Sequence, residues 1–392
     1  MKHLIVLYFF LGACASTDDK SSLDIPMPGS AELPESSAIQ LVERDRQNIK
    51  PTKIVSWQSF FKSNPTPSET KSLRKVIEKS EMNKSHSIED LLKLARNLRT
   101  IGEVKRAEVR YREILNRNSE NFDATIEIAE IYLYQRKVER SFDYISKAKK
   151  IIASRENPAK LDVFRYKYVL ALSLISSQRR DEGHRILTEL INEDRKFVNG
   201  YLALSESYLA QKKIELTKFI AKRGLDETPN HPSLLNVLGV TFQLDGRHEK
   251  AKSYYNRALE QNPNLVAALV NRATLSIHKA AFKSAEIDLN RAIKIAPYYN
   301  NALVSQGVLY KKTGRFTSAK IAFQAALDQN PENAFARYNL ASLLANRFND
   351  KNQALRLFYE VLQSNELTQE ISDLARVQIQ GLRDSRISLD DK

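Results

Sequence analysis

Cysteine occurs once in this chain of 392 residues, at Cys14, so the rest of the chain can form neither an internal disulfide nor a cysteine-based zinc site. The six histidines, His3, His86, His184, His231, His248 and His278, never form a His-x-x-x-His or His-x-x-Glu-His cluster, and they read as surface or packing residues. No glycine-rich phosphate loop, no nucleophile elbow and no paired nucleophile and base can be found. Acidic pairs such as Glu206 and Glu215 fall on helical stretches and read as a solvated face. The expectation is a chain that is not an enzyme, with no catalytic residue, no metal and no cofactor.

Cys14 itself stands where its thiol could be used. The run Leu4 to Leu11, behind Lys2 and His3, is apolar but far shorter than the roughly 20 residues of a spanning helix, and it reads as the core of an export signal. Leu11-Gly12-Ala13-Cys14 then resembles the bacterial lipobox, in which small residues fit the signal peptidase and the thiol accepts a diacylglyceryl group. That resemblance implies a signal peptide over 1–13 and a lipoprotein whose mature chain starts at Cys14. Acyl chains of the palmitate kind contribute about 0.8 kcal/mol per buried methylene, so two or more would anchor it stably. Ala15 and Ser16 lack the acidic residue that retains Gram-negative lipoproteins at the inner membrane. The expected location is therefore the periplasmic side of the outer membrane, with the outer leaflet of the inner membrane or the cell surface as alternatives.

Hydrophobic residues make up 42% of the chain, with only 11 glycines and 12 prolines, which points to helix-rich globular material. Basic residues exceed acidic ones, 61 to 47, for a formal charge of +14 that favours anionic partners without choosing among them. Residues 14–87 hold Pro26, Pro28, Pro34, Pro51, Pro65 and Pro67 and no sustained apolar period, and read as a lipidated N-terminus followed by a flexible tether. As a coil the tether would average about 45–50 Å end to end. Within it, Ser68 to Met82 could form a helix, and Trp57, Phe60 and Phe61 could dock a partner or pack on the body. The basic excess lies in the body, not the tether.

The body is periodic. Pro229, Pro263, Pro297 and Pro331 recur every 34 residues, as do Ala251, Ala285 and Ala319. Copies begin at Ile88, Phe122, Phe164, Val198, Pro232, Val266, Asn300 and Ala334. Each holds two helical patterns, with turns such as Asp245-Gly246 and Thr313-Gly314 between them, and such a pair buries its apolar face only by stacking on neighbours. The division is copies one and two over 88–155, an insertion at 156–163, copies three to eight over 164–368, and a capping helix with a polar tail over 369–392.

The eighth positions, Ala95, Ala129, Ala171, Ser205, Gly239, Ala273, Gly307 and Ala341, are all small. So are the twentieth: Ala107, Ser141, Gly183, Thr217, Ala251, Ala285, Ala319 and Ala354. This pattern, with aromatic fillers such as Tyr132, Phe242, Tyr255 and Phe323, resembles the tetratricopeptide (TPR) repeat. The resemblance implies an all-α fold, a right-handed α-solenoid of about eight TPR helix-turn-helix repeats with a C-terminal capping helix. In layout the chain resembles TPR lipoproteins of envelope assembly: pilotins of type IV pilus secretins, adaptors for peptidoglycan hydrolases, and gliding-motility or secretion components.

In such superhelices the first helix of each repeat lines the concave face. By that phase the expected partner-binding groove comprises Tyr168, Leu172, Leu202, Glu206, Asn236, Val240, Val270, Thr274, Val304, Val308 and Tyr338. The apolar character of Leu202, Val270 and Val304 argues against a clamp for a C-terminal carboxylate and for an amphipathic helix or extended peptide held amid basic charge. The functional expectation is a scaffold for other envelope proteins in a pilus, secretion, motility or cell-wall machine, contacting the membrane through its lipid and no nucleic acid, its oligomeric state open. The alternative is a periplasmic chaperone or carrier for exported clients.

Overall fold

Eight times along the computed structural model the backbone takes a positive φ at the fifteenth residue of a copy, counting one extra residue in the last: Gly102, Arg136, Gln178, Lys212, Gly246, Ala280, Gly314 and Asn349. A left-handed residue there reverses the chain between the two helices of each pair. Glycine does so without strain at Gly102, Gly246 and Gly314, whereas the bulkier residues are held there by the helices on either side. The structure describes residues 67–82, 86–297, 299–364 and 369–390, and every regular element among them is an α-helix. Cys14 and its signal, like Trp57, Phe60 and Phe61, lie outside the described residues.

Helix α1 (Pro67–Glu81) precedes the repeats. The pairs run from α2 (Ile88–Thr100) and α3 (Val104–Arg117) to α16 (Ala334–Arg347) and α17 (Lys351–Leu362), and α18 (Gln369–Asp390) closes the body. The first helix of the body starts on a reciprocal cap: the Ser87 hydroxyl accepts from the Asp90 amide at 3.1 Å, and the Asp90 carboxylate accepts from the Ser87 amide at 3.1 Å. First helices in the middle of the stack are apolar over most of their surface because each is covered by its own partner and by helices of the copies on both sides, whereas Ile88–Thr100 at the start buries only Leu91, Leu94, Ala95 and Leu98. In Pro232–Leu244 every residue from Leu234 to Gln243 is buried. Second helices are amphipathic, burying residues such as Ala251, Tyr255, Ala258 and Leu259 and leaving the opposite face in water.

The small eighth and twentieth positions are where the helices of a pair approach. Ala95, Ala129, Ala171, Ala273 and Ala341 are fully buried, as are Ala107, Ala251, Ala285, Ala319 and Ala354. At Ser141 the hydroxyl that replaces the methyl finds a partner, Oγ donating to the Ala129 carbonyl at 2.9 Å, whereas the buried Ser205 hydroxyl has none among the described residues. A Cβ at Gly183 would fall 2.6 Å from the Ala171 carbonyl oxygen, so that crossing admits no side chain at all.

Three boundaries differ from the sequence expectation. The helix Pro67–Glu81 lies inside the stretch read as tether, yet it belongs to the body, since Ile77 is buried in one cluster with Leu91, Leu94 and Leu98. The insertion is half absorbed: the first helix of the third copy, Lys160–Ser176, starts a turn early, and Arg155 holds Asp162 across the bend at 2.6 Å. Finally, α18 continues to Asp390 where a polar tail was expected, and it seats Ile371, Ala375 and Ile379 in one cluster with Phe358 and Val361. The two ends of the stack are thus closed by α1 and α18, as a solenoid requires to keep its terminal apolar faces from water.

Candidate functional site: the concave face

The eleven expected groove residues separate into two groups. Val270 and Val304 are only 2% and 0% exposed, and Asn236, Val240, Thr274, Val308 and Tyr338 are buried as well. Their neighbours explain why: Asn271 Nδ2 donates to Asn236 Oδ1 at 3.0 Å, the Thr274 and Ser305 hydroxyls meet at 3.4 Å, and the Tyr338 ring lies 5.6 Å from that of Phe358. From the fifth copy to the eighth, these positions therefore pack first helices against one another or, at Tyr338, against the second helix of the same copy, and hold up the fold instead of offering it to a partner. Tyr338 in particular is a core residue, so its truncation would act on stability before affinity.

Tyr168, Leu172 and Leu202 are half-buried, and Glu206 is exposed. The Tyr168 ring stands edge-on to Phe197 at 5.2 Å, which fixes its plane. Glu206 faces water, but the inner wall surrounds it with protein, and this partial dehydration pushes its carboxyl up to about 7. Burial raises the Tyr168 phenol well above its ordinary value, with the negative charges of Glu206 and Glu130 adding to the effect. Burial likewise lifts Tyr299 to about 12, and the charge of Glu206 and the phenol of Tyr134 contribute there too. Tyr134 itself is 77% exposed. Further along, Lys311 donates to Asn339 Oδ1 at 2.7 Å, and burial beside Lys312 brings its amine down to about 8.

The concave face of the first three copies is built differently and was not anticipated. Glu127, 3% exposed, is the centre of an ion network. Arg96 reaches its Oε1 through Nε at 2.7 Å and Nη2 at 2.6 Å, Arg165 Nη2 donates to the same oxygen at 3.3 Å, and the Tyr111 hydroxyl donates to Oε2. Asp123 pairs with Arg96 at 3.1 Å and with Arg165, while Arg99 holds Glu130 at 2.5 Å. Burial works against the Arg99 charge, but Glu130 and Glu127 outweigh it and keep the guanidinium protonated. The available signal was one of phase: Arg96, Arg99 and Glu130 occupy ninth and twelfth positions, and Asp123 and Arg165 second positions, all on the groove side of first helices. Three arginines face three carboxylates, so this part of the groove is neutralised within itself.

Comparison with known proteins agrees with this geometry. Residues 232–265 match a family model described as tetratricopeptide repeat, and residues 304–366 match a second of the same description. These stretches coincide with the fifth copy and with most of the seventh and eighth. The chain is 43% identical over 68 residues to the photosystem I assembly protein Ycf3 of Acaryochloris marina (strain MBIC 11017), covering 17% of this chain and 41% of that one. It spans less than half the length of each of the curated relatives it matches. Among solved structures, the APC/C hetero-tetramer Cut9–Hcn1 is similar over 83% of this chain and 64% of that one, with a TM-score of 0.54 and 13% identity, which shows the fold. PilW, titled a widely conserved type IV pilus biogenesis factor, is similar over 54% of this chain and 98% of that one, with a TM-score of 0.45 and 17% identity.

Proposed function

We propose that this tetratricopeptide-repeat chain is a lipid-anchored scaffold of the bacterial envelope, holding partner proteins against the inner face of its third and fourth copies and serving the assembly of a pilus, secretion, motility or cell-wall machine. The carrying observation is the contrast along that face. The ion network closes the groove side of the first two copies and the start of the third, and the fifth to eighth bury their apolar groove positions, while Tyr168, Leu172 and Leu202 stay half-buried and Glu206 exposed between them. An accessible patch of aromatic and aliphatic side chains in a concavity is the surface on which an interface gains most of its energy.

A photo-crosslinking side chain at Leu172 or Leu202 is therefore expected to capture a small set of partners in stoichiometric yield. The same group at Ile287, 69% exposed on a second helix, should capture none of them. Equal capture at all three positions would remove the groove from consideration, and a broad set of substoichiometric clients would favour a chaperone or carrier.

Anchoring is supported by Leu11-Gly12-Ala13-Cys14. Among the described residues no helix is long and apolar enough to cross a membrane. Changing Cys14 to Ser is expected to abolish acylation and move the protein from the membrane to the soluble fraction. The fractionation belongs at high salt, because a formal charge of +14 would by itself bind anionic lipid at low ionic strength. Retention of the Ser variant on membranes under those conditions would defeat the lipid anchor.

A further inference from the structure

The concave face of the first two copies neutralises its own charge, but the side built by their second helices does not. Between Val104–Arg117 and Val138–Ala153 lies a cleft of about 670 Å³, within the range of about 300–1,000 Å³ of ligand pockets. It shares no lining residue with the network around Glu127. The covered part of the lining is apolar: Ile151 is buried, Leu115 and Tyr144 are half-buried, and the buried Thr125 spends its hydroxyl on the Asn121 carbonyl at 2.8 Å. The Tyr144 ring packs on that of Tyr132 at 5.6 Å, which fixes it in place. The rim is cationic, with Arg112, Lys147 and Lys150 all exposed and Glu120 the one carboxylate of the described lining. Arg112 is already engaged, paired with Glu108 at 2.9 Å and donating to the Tyr132 hydroxyl. Lys147 holds its Nζ 4.7 Å from the centroid of the Tyr144 ring, and among the described residues no carboxylate pairs with Lys147 or Lys150.

We propose that this cleft is a second docking site, for an acidic segment of a partner protein in which an apolar residue is flanked by Asp or Glu. Lys147 and Lys150 meet the carboxylates, while Leu115, Tyr144 and Ile151 take the apolar side chain between them. A compact dianion such as phosphate suits the cleft less. The arginine fork that would grip it is taken by Glu108, and the cleft lies at the C-terminal, negative ends of both helices, which oppose one concentrated charge more than two separate ones. The site does not depend on the concave groove, so a chain that holds one partner there can hold another on its second helices.

The test is fluorescence anisotropy of a labelled, capped Glu-Asp-Phe-Asp-Glu peptide titrated with the full chain, in about 0.15 M salt to screen the general attraction of a chain of charge +14. Gln-Asn-Phe-Asn-Gln lacks the charge and Glu-Asp-Ser-Asp-Glu lacks the apolar anchor, and each is expected to bind at least tenfold more weakly. Changing Lys147 and Lys150 together to Gln should weaken the first peptide at least tenfold. Changing Lys222 and Arg223 together to Gln removes two exposed charges from the second helix of the fourth copy and should leave it within twofold. Ser119→Trp, at an exposed position of the lining, fills the cleft without touching its charge and should also weaken binding. All these side chains are exposed, so thermal melts of the variants are expected to match wild type. Equal losses in the two double variants would reduce the effect to general charge and overturn the site, as would the absence of saturable binding at millimolar peptide. Lysine-dependent binding of inorganic phosphate or of phosphatidylglycerol vesicles, with none of the peptide, would overturn the choice of ligand. Crosslinking at Leu172 and Leu202 reads a different face, so failure there and failure here are separate results.

Discussion

Glu127→Ala is expected to cost about 3–5 kcal/mol of stability, the range for removing one partner from a buried ion pair. The substitution removes one of the two carboxylates on Arg165, only 7% exposed, leaving it Asp123, and leaves the fully buried Tyr111 hydroxyl without its acceptor. Arg96 is nearer the surface and can turn to water, which limits the loss on that side. Because solenoid stability is a sum of repeat and interface contributions, the damage should be local. Hydrogen exchange is expected to accelerate across the first three copies, residues 88–197, and to stay unchanged beyond the fifth, with a matching early phase in urea melts. Glu127→Gln keeps the shape and one acceptor for Tyr111, and should cost less. A melt of Glu127→Ala within 1 kcal/mol of wild type would mean that the network contributes nothing net.

The second large effect is at the glycine crossings. A Cβ at Gly239 would lie 2.4 Å from Tyr255 Cε1, and one at Gly307 would lie 2.5 Å from Phe323 Cε1. The nearest obstacle is thus a ring four residues beyond the small twentieth position. The Tyr255 ring is fully buried and its hydroxyl donates to Gln243 Oε1 at 2.7 Å, so it cannot swing aside cheaply. Valine at either glycine is expected to cost about 3 kcal/mol, the upper end for overpacking, and alanine somewhat less. The sixth copy carries Ala273 with Leu289 at the corresponding positions, both fully buried. The double change Gly307→Ala with Phe323→Leu copies that pair and should recover most of what Gly307→Ala alone loses. Thermal melts of the three variants decide this: no recovery in the double variant would show that the ring is not what the glycine accommodates.

The sequence by itself determined the repeat unit, and the reason is that each unit is held by contacts at fixed short spacing. Small residues at the eighth and twentieth positions let two helices cross, Gly246 and Gly314 mark turns, and the recurring prolines mark the joins, so the period was legible before any fold was known. Four of the eight turns were not, because Arg136, Gln178, Lys212 and Ala280 take positive φ without the residue type that announces it. A helix over Ser68 to Met82 is legible in the sequence, but that Pro67–Glu81 belongs to the body and not to the tether is not, because it is fixed there by essentially one fully buried residue, Ile77, meeting a later helix.

Only the tertiary structure decided which part of the groove is open. Repeat phase assigns the fifth and ninth positions of first helices to the inner side, but phase is identical in every copy and cannot distinguish a half-buried Leu202 from a sealed Val270 or Val304. That distinction depends on how closely successive first helices approach, and hence on residues about one period apart, such as Asn236 with Asn271 and Thr274 with Ser305. The ion network is of the same kind: Arg96, Glu127 and Arg165 come from three different copies.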